Sequence, residues 1–261
     1  MTVEAEDPGR DFPRMAAVPG RVEPCPRRVR GLVDGVLVFD TTRARYVWEV
    51  PYYPQYYVPV DDVAAGVLVD EGREQRRPWG TAGVHGLSLP GATRPSAARV
   101  YGTDAVDGVA GTAGFDFDAL DWFEEDEPII AHPRNPYVRV DALRSHRHVV
   151  VARDGRVLAD TTSPVLLFET GLPTRYYIDR TDVDFTHLRP SDTTSTCPYK
   201  GVTSGYWSLE TPAVSEADVA WAYARPHRQV DPIADLIAFY NEKLDVTVDG
   251  RPLPRPHTHF R

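Results

Sequence analysis

The sequence has few lysines and cysteines, and it has no long apolar run. Only Lys200 and Lys243 are lysines, so a lysine within a motif stands out. The two cysteines, Cys25 and Cys197, form no CxxC pair, which argues against a zinc site built on cysteine pairs and fits a reducing compartment. No apolar stretch approaches the length of a membrane span, and the N-terminus lacks the apolar core of a signal peptide. We therefore expect a cytoplasmic protein without a membrane partner.

Positive charge is also in deficit. The chain has 29 Lys and Arg against 38 Asp and Glu, a formal net charge of −9. Nucleic-acid partners normally require a basic face, so we expect none. The 261 residues, 42% hydrophobic and 26% charged, are typical of a globular protein and suffice for two domains that each bury a core.

One stretch occurs twice. Residues 34–63 and 154–183 align without a gap at an offset of 120, with ten identical pairs in thirty positions. The matches include Glu49 with Glu169 and Tyr57 with Tyr177. The period is too long for a solenoid repeat, so the duplication predicts two copies of one domain.

The local patterns predict mainly β structure. Each copy has an Asp-Gly dipeptide between two apolar runs, Asp34-Gly35 and Asp154-Gly155, which is a strong hairpin signal. Two further strands follow in each copy, so we expect each to open as a β-meander. The apolar spacing of residues 231–243 predicts a helix with Asp231 as its N-cap. Residues 117–125 also have helical spacing, and residues 91–114 are expected to be loop.

Several runs resemble the bacterial family called domain of unknown function 427 in its tandem form. They are EEDEPIIAHPRNPYVRVDALRSHRHVVV (124–151), DGRVLADTTSPVLLFETGLPTRYYI (154–178), TCPYKG (196–201), VAWAY (219–223) and AFYNEKLDVTVDG (238–250). The resemblance implies two tandem β-tent-like (Mss4-like) domains of antiparallel sheets, each with an aromatic-lined pocket and a short helix near its end.

The resemblance and the duplication together suggest domain boundaries and exclude a metal. We expect an N-terminal arm (1–27), a first domain with a degenerate motif (28–126), a linker (127–143) and a second domain with an intact motif (144–261). Relatives by fold carry zinc on CxxC knuckles, which this chain lacks, so we expect no metal and no cofactor. The family has also been labelled a nucleotidyltransferase, for which the Asp-x-Asp triplets at 116–118 and 182–184 are weak support.

Four candidate catalytic groups belong to the second copy. Lys200 lies three residues after Cys197, and its ammonium could favour the thiolate; the alternative is a small buried cysteine with Lys200 paired to Glu169. Glu169 follows four apolar residues, so it is either paired or poised with a raised pKa. Tyr177 is the fourth candidate. The first copy has neither the cysteine nor the lysine, so chemistry that needs them is confined to the second copy.

Candidate binding residues surround these groups. Adjacent tyrosines on a strand point to opposite faces, so one of Tyr176 and Tyr177 is expected to face a pocket. The alternatives for the aromatic residues are a packed core or a stacking cage for a flat or cationic ligand. An arginine beside them could hold a carboxylate or a phosphate. The predicted substrate-binding residues are Arg175, Tyr176, Tyr199, Trp207, Trp221, Tyr223 and, from the linker, His132 and Arg134.

Three functions remain open from the sequence. The first is an enzyme that transforms a small molecule in the second domain's aromatic pocket. The second is a non-catalytic module that binds a metabolite there. The third is a metal-dependent nucleotidyltransferase, which ranks below the other two. A small-molecule ligand is the expected partner, and a homo-oligomer is left open.

Overall fold

The computed structural model describes residues 17–258. It divides into two compact units at the boundary between Pro136 and Tyr137. Each unit contains one seven-stranded and one four-stranded antiparallel sheet, and the sheets are open. The prediction of a mainly β fold with two tandem groups of antiparallel sheets is therefore confirmed.

The first unit has eleven strands. Its large sheet has the order β1-β4-β5-β9-β8-β7-β6, and its small sheet has the order β11-β10-β2-β3. The strands are β1 (Val22–Pro24), β2 (Val29–Val33), β3 (Val36–Thr41), β4 (Arg45–Val47), β5 (Gln55–Pro59), β6 (Leu68–Arg77), β7 (Gly80–Leu89), β8 (Ala92–Tyr101), β9 (Thr112–Phe115), β10 (Asp121–Glu124) and β11 (Glu127–Ile129).

The second unit repeats this plan and adds a two-stranded sheet. Its large sheet has the order β12-β15-β16-β22-β21-β20-β17, its small sheet has the order β14-β13-β23-β24, and β18 pairs with β19. The strands are β12 (Val140–Arg144), β13 (Val149–Arg153), β14 (Arg156–Thr161), β15 (Val165–Glu169), β16 (Arg175–Ile178), β17 (Leu188–Ser191), β18 (Thr196–Cys197), β19 (Gly201–Val202), β20 (Gly205–Glu210), β21 (Ser215–Ala222), β22 (Ile237–Phe239), β23 (Asp245–Val248) and β24 (Arg251–Pro252).

Both predicted hairpins form, with positive φ at both turn residues. The values are 49° and 80° at Asp34 and Gly35, and 49° and 78° at Asp154 and Gly155. The predicted β-meander is wrong, because the hairpin strands β2 and β3 belong to the small sheet while β4 and β5 belong to the large one. The chain changes sheets after the hairpin in both units, so a core forms between the two sheets.

The helix predicted over residues 231–243 is wrong. A 3-10 helix, Arg228–Ile233, covers only its start, and Ile237–Phe239 is an inner strand of the large sheet. All three residues of that strand are buried, and a short apolar run buried on both faces cannot be told from a buried helix by periodicity. The other helices are also 3-10: Val60–Asp62, Phe117–Ala119, Arg180–Asp182 and Phe185–His187.

Two predictions for the first unit are also corrected. Residues 117–125 form the 3-10 helix Phe117–Ala119 and strand β10 rather than one helix. Residues 91–114, predicted as loop, contain the whole of β8 and most of β9. Their Gly- and Ala-rich composition hid strands that pair on both sides within the large sheet.

The segments predicted as arm and linker contribute strands. Val22–Pro24 pairs with Arg45–Val47 in the first unit, and residues 1–16 lie outside the described chain. Glu127–Ile129 belongs to the first unit's small sheet, whereas Val140–Arg144 is an edge strand of the second unit's large sheet. No helix within residues 17–258 is long and apolar enough to cross a membrane.

Candidate functional site

The candidate site lies on one face of the second unit's large sheet. Tyr177 on β16 is directly opposite Ala238 on β22, Ala238 is opposite Trp221 on β21, and Trp221 is opposite Tyr206 on β20. The small Ala238 leaves room between its two neighbours, and the Tyr177 and Trp221 rings meet edge to face at 6.3 Å. The Trp221 indole N–H donates to the Tyr177 hydroxyl at 3.3 Å.

A buried ion pair lies beside this row. Lys200, in the turn between β18 and β19, donates to Glu169 at the end of β15. Their side chains are only 11% and 10% exposed. Burial acts to lower the pKa of Lys200, but the Glu169 carboxylate, with smaller contributions from Cys197 and Tyr177, outweighs it and the pKa is raised. Lys200 is therefore a charged ammonium at neutral pH.

Two tyrosine hydroxyls adjoin the pair in their protonated form. Burial raises the pKa of Tyr177 to about 12, against the opposing effect of Lys200. Burial also raises the pKa of Tyr223, which interacts electrostatically with Tyr177, Cys197 and Glu169. Tyr177, Tyr223 and Trp221 belong to one buried cluster. At neutral pH both phenols can donate hydrogen bonds, and neither can act as a base.

Several donors at this site are not used by the protein. An ammonium has three N–H donors, and within residues 17–258 only one donor of Lys200 has an acceptor, on Glu169. The Tyr223 hydroxyl and the Cys197 thiol make no hydrogen bond to any described residue, although Tyr223 is only 3% exposed. The Tyr177 hydroxyl accepts from Trp221 and donates to no described group.

Arg175 is placed by the protein itself. Its guanidinium forms a two-pronged pair with Glu242 at 2.6 and 2.7 Å, and the side chains are 7% and 4% exposed. Thr258 donates to the same carboxylate at 2.6 Å. The guanidinium also lies 5.6 Å from the Trp221 ring centre and 5.5 Å from that of Tyr240. The cation over these rings is thus the chain's own arginine.

The remaining predicted residues lie elsewhere. Tyr176 packs in the core between the two sheets, on the face opposite Tyr177, as the strand alternation predicted. Trp207 points away from the cluster and packs edge to face on Phe185 at 5.8 Å. Tyr199 is half-buried in the same turn as Lys200.

The two predicted linker residues belong to the first unit. His132 stacks on Tyr53, with ring centres 3.8 Å apart, and burial lowers its pKa. Arg134 is half-buried in the same segment.

Three residues of the site were missed from the sequence. Tyr206 lies on the Tyr177 face of the sheet, and the register of β20 against β21, which the sequence does not show, decides that Tyr206 rather than its neighbour Trp207 lies there. Tyr240 packs on Trp221 with ring centres 4.4 Å apart. Glu242 neutralises Arg175. The last two follow β22, and the wrongly predicted helix concealed them.

The corresponding position in the first unit is closed. The Tyr57 hydroxyl contacts Glu49 at 3.1 Å and the Tyr101 hydroxyl at 3.0 Å. The Trp79 indole N–H donates to both hydroxyls at 3.0 Å. The hydroxyls of this network therefore bond one another, whereas in the second unit the Tyr223 hydroxyl makes no hydrogen bond within residues 17–258.

A single glycine accounts for part of the difference. Tyr57 is opposite Gly114 on β9, the position that Ala238 occupies beside Tyr177. A Cβ atom at Gly114 would lie 2.7 Å from the Tyr57 ring. The absence of a side chain lets that ring lie across the strand and stack on Tyr101, with ring centres 5.3 Å apart.

The Gly114→Ala substitution should therefore disturb the closed network of the first unit. We expect a loss of about 1–3 kcal/mol in unfolding free energy, because the added methyl group forces the buried Tyr57 ring to move. Urea unfolding followed by tryptophan fluorescence measures this loss. Gly83→Ala is the control, because the nearest atom to its Cβ would be on the half-buried His85 ring at 3.1 Å, with the Val100 carbonyl oxygen at an ordinary 3.9 Å, and less than half the loss is expected. Equal stability of the two variants would contradict this role of Gly114.

A shallow groove also lies on the second unit, away from the Lys200 cluster. Its volume is about 380 Å³, and it runs between residues 157–160 and residues 181–184. The groove includes Asp182 and Asp184 of one predicted Asp-x-Asp triplet, and Asp184 accepts a bond from the Thr186 backbone N–H at 2.9 Å. Among the residues described, no group of three or more His, Cys, Asp or Glu side chains is arranged to hold a metal.

Comparison with known families gives two matches in this chain. Residues 21–126 and 141–250 each match the family described as Domain of unknown function (DUF427). A search among curated proteins found no match. The two matched segments fall one in each structural unit and together span most of the sequence. The chain therefore belongs to the family described as Domain of unknown function (DUF427), as a member with two tandem domains.

Proposed function

We propose that the second unit binds a small molecule at Lys200, Tyr177, Tyr223 and Cys197, which together are called the donor site. One observation carries the proposal: the Lys200 ammonium uses one of its three N–H donors, on Glu169, and the Tyr223 hydroxyl, which interacts electrostatically with the same Glu169, makes no hydrogen bond within residues 17–258. A hydrogen bond contributes about 0.5–1.5 kcal/mol, and more when the donor is charged. Acceptor atoms of a ligand would gain such bonds here.

The comparison with the first unit supports confining the function to the second. Glu49, Tyr57, Tyr101 and Trp79 satisfy one another by hydrogen bonds. The first unit has no lysine and therefore cannot supply an ammonium at that position. Substitutions in the first unit can therefore serve as controls for substitutions at the donor site.

The protonation states favour binding over nucleophilic catalysis by Lys200. An amine attacks carbonyl carbon only in its neutral form, and the Glu169 carboxylate keeps the pKa of Lys200 raised. Tyr177, with a pKa of about 12, is likewise a donor at neutral pH. Both groups are therefore suited to hold acceptor atoms of a ligand. Chemical conversion of a bound compound during the assay would instead favour the enzymatic alternative.

Tyr223→Phe is the cleanest test, because it removes a hydroxyl that no described residue uses. We expect unchanged stability together with about tenfold weaker binding of the fragments that occupy the donor site. Ligand-observed ¹⁹F NMR of a fluorinated panel containing neutral, anionic and cationic fragments measures the binding on the full chain.

Tyr101→Phe in the first unit is the matched control. It removes a hydroxyl that bonds Tyr57 and Trp79, so it should cost about 1 kcal/mol of stability and leave fragment binding unchanged. The proposal fails if no fragment binds the wild-type chain, or if every bound fragment is unaffected by Tyr223→Phe.

A further inference from the structure

The charges around the donor site are already balanced by the protein. The ammonium of Lys200 is paired with the carboxylate of Glu169, and the guanidinium of Arg175 is paired with that of Glu242. Neither cation has surplus charge to offer a ligand. An anion entering this buried region would lose its hydration without gaining a countercharge, which is costly.

Hydrogen-bond donors, in contrast, are in excess. The unused donors are two N–H bonds of Lys200, the O–H bonds of Tyr177 and Tyr223, and the thiol of Cys197. The corresponding unused carboxylate acceptor is one oxygen of Glu169, whose other oxygen accepts from Lys200. A carbonyl oxygen has two lone pairs and no charge, so it can accept from two of these donors at once.

The aromatic side of the cluster limits where a ligand can lie. Trp221 has Tyr240 packed on it and Arg175 within cation–π distance, so its ring already has partners in the protein. The polar groups that a ligand can still reach are those around Lys200, because about a tenth of the side-chain surface of the Lys200–Glu169 pair is exposed. A ligand that enters at this exposed surface meets the ammonium first.

We infer that the ligand of the donor site is a neutral molecule that presents a carbonyl oxygen to Lys200 and to one of the neighbouring tyrosine hydroxyls. The inference rests on the proposed function and narrows it from any small molecule to one chemical class. It disfavours carboxylates and phosphates, including nucleotides, at this site.

The test uses two fluorinated probes of similar size and different charge. 4-Fluoroacetophenone is a neutral ketone and 4-fluorobenzoate is an anion, and ¹⁹F line broadening reports their binding to the full chain. We expect the ketone to bind at least tenfold more tightly than the benzoate, and Tyr223→Phe to weaken ketone binding about tenfold. Tyr101→Phe should leave it unchanged.

The outcomes separate this inference from the proposed function. If the benzoate binds as tightly as the ketone or more tightly, and Tyr223→Phe weakens it, the donor site binds a small molecule and the inferred class is wrong. If neither probe binds, a neutral carbonyl fragment that binds in a Tyr223-dependent way still supports the class, and a fragment without a carbonyl that does so shows that the class is wrong. If no fragment of any charge binds, the inference and the proposed function both fail.

Discussion

Replacing Glu242 with alanine should lower the unfolding free energy of the second unit by about 3–5 kcal/mol. The substitution leaves the Arg175 guanidinium, whose side chain is 7% exposed, without the carboxylate that neutralises it. It also removes the acceptor of Thr258. Hydrogen exchange of peptides from β16 and β21, measured over a urea series, reports the stability of this unit separately.

Two further variants distinguish the cost of leaving a buried charge unpaired from the cost of shortening a side chain. Asp245→Ala removes an exposed carboxylate paired with Arg255 at 2.8 Å, and it should cost no more than about 1 kcal/mol. The double variant Arg175→Met with Glu242→Leu should be more stable than Glu242→Ala, because it leaves no buried charge unpaired. A Glu242→Ala variant as stable as Asp245→Ala would contradict the account of this pair.

The pH dependence of the Arg175 pair follows from the pKa of Glu242. Burial acts to raise that pKa, but hydrogen bonds from Arg175 outweigh it and the pKa is lowered. A lowered carboxyl pKa means that the unfolded chain binds more protons as the solution becomes acidic. The stabilisation is therefore present above the unfolded pKa of about 4.3 and is lost as the pH falls through the folded value.

Glu169→Gln should destabilise the second unit by about 3 kcal/mol at pH 7. It should also make the unfolding free energy of this unit rise with pH between pH 7 and pH 10. Without the carboxylate, burial should outweigh the smaller opposing effects of Cys197 and Tyr177 and lower the pKa of Lys200 below the unfolded value of about 10.4. Between the two values the unfolded chain binds more protons, so stability rises with pH. Unfolding free energies measured from pH 7 to pH 10 test this.

The wild-type chain should behave differently over the same range. Its Lys200 has a raised pKa, so the stabilisation is complete below about 10.4 and is lost only at higher pH. Glu49→Gln is the matched control in the first unit, because Glu49 accepts from the neutral Tyr57 hydroxyl. It should cost about 1 kcal/mol without a rise in stability towards pH 10. A Glu169→Gln variant whose stability is flat or falls over this range would contradict the ion-pair account.

The sequence predicted the site best where strand alternation or the duplication constrained it. Tyr176 and Tyr177 lie on opposite faces, as adjacent residues of a strand must. The pairing of Lys200 with Glu169 was one of two alternatives, and the structure selects it. The comparison of the two copies located the difference in chemistry at Lys200 and Cys197, both absent from the first copy.

The sequence led to a wrong prediction where a strand is buried on both faces and therefore lacks the alternation of apolar and polar residues. Ile237–Phe239 is an inner strand with every residue buried, and its neighbours Ile233 and Tyr240 completed a false helical stripe. That error hid Glu242, so Arg175 was expected to bind a ligand. The choice of Trp207 over Tyr206 had a different cause, since it depended on the register of β20 against β21.

The most direct test of the account is a crystal structure of the full chain soaked with 4-fluoroacetophenone. We expect ligand density in the second unit, with the carbonyl oxygen about 3 Å from the Lys200 Nζ atom and from a tyrosine hydroxyl. We expect no ligand beside Tyr57 and Trp79. Density for the ketone only in the groove along residues 157–160, or no density at Lys200 while protein side chains fill the space, would contradict a binding site at Lys200.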